Sequence, residues 1–81
     1  MSGLPIVRIE WVDSNGGPQG WEDKGELTPV TPAACTTIGF LLVDAPDYVT
    51  VVQSVSGEDL MYRLAIPRAA IISVVYLEGA R

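Results

Sequence analysis

The sequence predicts an all-β fold: a small five-stranded barrel with one long loop after the first strand. Three observations predict it. Apolar residues alternate with polar ones over short runs, the period of a half-buried strand. Turn-forming residues separate those runs, with 8 Gly and 6 Pro in 81 residues. Finally, five short strands in so small a chain leave exposed sheet edges unless the sheet curls closed, as small barrels do. A chain of this length has room for one hydrophobic core, so residues 1–81 are expected to form one domain.

The first strand is read over Ile6–Asp13, where Val7, Ile9 and Trp11 share one side and Arg8 and Glu10 the other. Ser14-Asn15-Gly16-Gly17-Pro18-Gln19-Gly20 then supplies turn dihedrals and resists both helix and ladder. Trp21 follows among Glu22, Asp23 and Lys24, and Pro29 and Pro32 bracket the polar end of the excursion. The long loop is expected over about 14–35, unusual in a compact domain and therefore suggestive of function. A hairpin follows: Thr36–Asp44, a reversal at Ala45-Pro46, and Tyr48–Val55. A fourth strand over Leu60–Ile66 comes after the turn Ser56-Gly57-Glu58-Asp59. Pro67-Arg68-Ala69-Ala70 reads as a single helical turn, because proline cannot donate to a central ladder. The fifth strand, Ile71–Leu77, is apolar on both faces, with Ile71, Ser73, Val75 and Leu77 on one and Ile72, Val74 and Tyr76 on the other. A barrel has one interior, so the second apolar face is expected to meet another subunit.

Composition excludes several functions. Ten acidic residues against five basic ones give a net charge of −5, opposite to what general nucleic-acid binding requires. There is no histidine and one cysteine, Cys35, so no zinc site, intramolecular disulfide or Cys–His or Ser–His pair can be assembled. The adjacent acids Glu22-Asp23 and Glu58-Asp59 lie in loops that fix no catalytic spacing. Neither an enzyme nor a cofactor is expected. Ile38–Val43 is far shorter than a membrane span, and Met1–Pro5 lacks the basic and apolar regions of a signal peptide, so no membrane association and a cytoplasmic location are expected.

Trp11-Val12-Asp13-Ser14, Gly20-Trp21, Thr37–Leu42, Asp47–Ser54 and Ile66–Ile71 together resemble a group of small, mostly uncharacterised bacteriophage proteins. Ile66–Ile71 also resembles the junction between the last two strands of Sm-like and Src-homology-type barrels. The first resemblance implies a phage accessory protein, and small oligomeric phage proteins include sponges that bind nucleotide immune signals of the host without cleaving them. Residues Glu22–Ala34 match nothing in the resembling group.

The candidate ligand-binding residues are Trp11, Asp13, Ser14, Trp21, Gln53 and Arg68. Trp11 and Trp21 flank the glycine-rich loop and offer stacking faces, although Trp11 is in phase with the core positions Val7 and Ile9. Trp21 reads either as a contact residue or as a cap on the barrel. Asp13 and Ser14 could meet a base edge or ribose, or form a local turn. Gln53 shares a face with Val49, Val51 and Val55, so that face is solvent-exposed or holds the amide at an interface. Arg68, on the proline turn, could pair with an anion, whereas Arg8, Arg63 and Lys24 read as solvated surface. The leading expectation is a non-enzymatic homo-oligomer that sequesters a small nucleotide-type ligand at a subunit seam. The alternative is an oligomeric accessory or structural protein presenting Ser14–Pro32 to a host protein.

Overall fold

The computed structural model describes residues 3–77. Five antiparallel strands form one sheet in the order β4-β3-β2-β1-β5, namely β1 (Ile6–Asp13), β2 (Ala33–Asp44), β3 (Tyr48–Ser56), β4 (Asp59–Pro67) and β5 (Ile71–Tyr76). One 3₁₀ turn, Lys24–Glu26, lies in the loop after β1, and a second, Arg68–Ala70, joins β4 to β5. The first strand is as the sequence predicts, and so is a helical turn before β5, although Pro67 stays in the edge strand β4 opposite Tyr48 and the turn begins at Arg68.

All five strands contribute to one core. Val7 and Ile9 of β1, Leu41 of β2, Val49 and Val51 of β3 and Ile66 of β4 form a buried cluster, with Trp11, Ile71 and Val74 packed against it. A flat sheet cannot bring β4 and β5, its two edges, onto one cluster, so this sheet is strongly bent. Two bulges contribute. Leu42 is the extra residue where the β2–β3 register shifts between Leu41 and Val43, and Ile72 is the extra residue where β5 shifts against Glu10 and Trp11. Gly39 is the third device: it pairs with Val7 and runs so close to the Val52 main chain that a side chain would have no room.

The expected closed barrel is not what the ladders make. No ladder joins β4 to β5 among the described residues, so the bent sheet keeps two free edges. β2 begins at Ala33 rather than Thr36, because Trp11, Val12 and Asp13 continue the ladder against Cys35, Ala34 and Ala33. Pairing with a strand already in place overrides the weak β-propensity of alanine. The two faces expected for β5 are also redistributed. The bulge at Ile72 resets the period, so Ile71 and Val74 both pack on the core while Ile72 and Val75 are exposed. β5 ends at Tyr76, one residue before the expected bound.

Candidate functional site

The segment Ser14–Pro32 stands off the sheet, and every one of its residues is exposed. It nevertheless has internal order. The Asn15 side-chain amide donates to the Thr31 carbonyl at 3.1 Å, tying the two limbs together. The Asp23 carboxylate accepts from the Gly25 amide at 2.9 Å and caps the short turn that follows. Between the limbs lies an open concavity of about 490 Å³, lined by Gly17, Glu22, Leu27, Thr28, Pro29 and Val30. Its charged lining residue is the carboxylate of Glu22, which disfavours an anionic occupant and favours a cationic or apolar one. Trp21, beside Glu22 in the chain, is fully exposed. It caps nothing, so the capping reading is set aside.

A second pocket, of about 100 Å³, opens at the end of the core between the β2–β3 corner, the turn after β4 and β5. Leu41, Asp44, Val49, Arg68, Val74 and Tyr76 line it. Its volume is well below the roughly 300 Å³ a nucleotide-sized ligand needs. Arg68 is already engaged there: its Nε donates to the Ala45 carbonyl at 3.1 Å and its Nη2 pairs with the Asp44 carboxylate. With the Arg68 amide donating to the Asp47 carbonyl at 2.9 Å, this residue pins the turn after β4 onto the β2–β3 corner.

The six candidate residues fall in five places, one of them the Arg68 corner just described. Trp11 is half-buried against the core and its Nε1 donates to the Thr37 hydroxyl at 2.9 Å, so both its face and its donor are used within the fold. Asp13 and Ser14 are exposed at the base of the loop, where the Asp13 carboxylate accepts from the adjacent Ser14 amide at 2.8 Å as the strand ends. Gln53 is exposed in the outer half of the β3–β4 hairpin, beyond the core. Trp21 touches nothing, and therefore does not meet Arg68 within one chain. The loop concavity was missed in the sequence because Leu27, Pro29 and Val30 carry no periodicity, and they meet Gly17 and Glu22 only once the loop ends are paired at Asp13–Ala33 and Asn15 is tied to Thr31.

Among the described residues no group of three or more His, Cys, Asp or Glu side chains could hold a metal ion, and no helix is long and apolar enough to cross a membrane. No family model, curated protein or solved structure matches the chain.

Proposed function

We propose that this chain is a non-enzymatic protein-binding module, whose loop Ser14–Pro32 receives a basic, partly apolar segment of another protein. The carrying observation is the loop itself: exposed along its whole length, tied across its limbs, and shaped around an apolar concavity that holds one carboxylate beside a fully exposed tryptophan. A Lys or Arg side chain can lay its aliphatic stem along Leu27 and Val30 and bring its charge to Glu22. Trp21 supplies the kind of large, rigid contact that dominates protein interfaces. The loop carries three acidic residues against one lysine, which adds attraction toward a basic partner.

This reading takes the alternative function over nucleotide sequestration. Sequestration at a subunit seam would bring Trp21 and Arg68 together across copies, and the Arg68 guanidinium it would need for an anion is held by Asp44 and Ala45. The bent sheet acts as an open barrel that holds the loop, and the module works as a homo-oligomer, consistent with free edges rich in exposed apolar residues. The bacteriophage resemblance would make the partner a host protein.

Photo-crosslinking from position 21 inside bacterial cells tests the reading. A discrete crosslinked protein that is lost in Glu22→Lys, with the fold intact, supports it. A nucleotide that raises the melting temperature of the wild type but not of Arg68→Ala or Trp21→Ala restores the sequestering function instead.

A further inference from the structure

We propose that a second copy of this chain covers the free edge of β4, in an antiparallel two-fold pairing centred on Met61. This rests on the self-assembly part of the reading above and assigns it a surface. β4 is an edge strand with little protection: of its nine residues only Ile66 is buried, and Leu60, Met61, Tyr62 and Leu64 are large apolar residues exposed to solvent. Proteins commonly blunt such an edge with lysines, proline or a covering segment. Here the strand carries one proline, at its last residue, and two charges, Asp59 and Arg63.

Those two charges identify the occupant. They lie two residues either side of Met61, with opposite sign, so the sequence Asp59-Leu60-Met61-Tyr62-Arg63 is complementary to itself when reversed. An isologous contact requires that property, since residue i of one copy meets residue j of the other and j meets i. With Met61 on the two-fold axis, Asp59 of each copy faces Arg63 of the other, and Leu60 faces Tyr62. With β4 extended through Tyr62 in the paired state, directly opposed residues share a face of the sheet, so both ion pairs and the Met61 pair fall on one side and both Leu60–Tyr62 pairs on the other. The symmetric contact neutralises both charges that would otherwise enter the paired edge alone.

From the loop to Met61 the backbone agrees with this register. β3 and β4 are joined by the two-residue loop Gly57-Glu58, and Ser56–Asp59, Ser54–Met61 and Val52–Arg63 are opposed pairs. In an antiparallel ladder the hydrogen-bonded pairs alternate with non-bonded ones. With the bonded pairs beginning next to a two-residue loop, Leu60 turns its amide and carbonyl groups toward the free edge, and the regular alternation runs as far as Met61. The proposed register sets the outward groups of Leu60 opposite Tyr62, the residue whose own backbone departs from the ladder. Tyr62 is also where β4 is least held by its own sheet: the register passes from Val52–Arg63 to Ser54–Met61 without pairing Gln53 to Tyr62, and Tyr62 has a φ of 59°. A neighbouring strand supplies the partner that β3 does not.

The experiment is a charge swap read by sedimentation equilibrium on the full chain, with circular dichroism confirming the fold of every variant. The wild type is expected to dimerise, Asp59→Arg and Arg63→Asp each to weaken the dimer about tenfold or more, and the double swap to recover most of the loss. Met61→Lys, which sets two ammonium groups together on the axis, is expected to give monomer and provides an independent reading should one swap variant fail to fold. A wild type that stays monomeric to sub-millimolar concentration overturns both this proposal and self-assembly. An assembly unaffected by the β4 variants but lost in Ile72→Lys overturns the β4 dimer and moves self-assembly to β5. Loss of the dimer in both single variants without recovery in the double swap overturns the proposed register.

Discussion

Gly39 and Val52 touch through the main chain: a Cβ at position 39 would lie 2.9 Å from the Val52 carbonyl oxygen. The neighbour is backbone within a central ladder and cannot swing aside. Gly39→Ala is therefore expected to destabilise the fold by about 1–3 kcal/mol, the range for overpacking a filled site. Gly16→Ala, with nothing within 4 Å, serves as the control. Urea denaturation should show the midpoint falling for Gly39→Ala alone.

Arg68 is expected to matter for stability rather than for anion binding. Arg68→Ala removes the bond to the Ala45 carbonyl and the pair with Asp44, both at a partly solvated corner, and should cost about 1 kcal/mol. Arg68→Lys keeps the charge but not the forked donor set, and should fall between the two. Wild-type thermal stability in Arg68→Ala would show that the pin contributes nothing.

Tyr62 has a φ of 59°, in the region that costs a side-chain-bearing residue about 1–2 kcal/mol. The ring is largely exposed, so little packing is lost when it is removed. Tyr62→Gly should consequently stabilise the isolated chain by about 1 kcal/mol, measured in dilute solution where a dimer would be dissociated. A fall in stability would mean that the left-handed conformation is not the one held in solution.

Trp21→Ala is expected to leave stability within about 0.5 kcal/mol of the wild type, because the side chain makes no contact that folding would reward. Its removal should also shift the tryptophan emission to the blue, leaving the half-buried Trp11 as the only emitter. A large loss of stability would place Trp21 against the sheet and undo the binding role given to the loop.

The strands were legible where a local rule decides them. Alternation in Ile6–Asp13 gave β1 its bounds, and the ring of Pro67 announced the turn at Arg68–Ala70. What the sequence could not reveal depended on partners far along the chain. Ala33, Ala34 and Cys35 extend because Asp13, Val12 and Trp11 lie beside them. The bulges at Leu42 and Ile72 occur in runs apolar on both sides, where a one-residue slip leaves no trace in the pattern. The candidate site shows the same division. Trp11 follows the strand period and packs on the core, whereas the commitment of Arg68 lies with Asp44 and Ala45, more than 20 residues away.

The pairing of Asp13 with Ala33 has a consequence for how such a chain can vary. The sheet itself holds the two ends of the excursion side by side, so the closure is set before any loop residue is chosen. Each doubling of a flexible loop adds only about 0.6 kcal/mol of closure entropy. The 19 residues between β1 and β2 can thus lengthen, shorten or be exchanged for another sequence while the bent sheet remains as it is. Grafting a foreign segment between Asp13 and Ala33 becomes a practical way to give this scaffold a chosen target, and natural sequence change in the loop has the same route open to it.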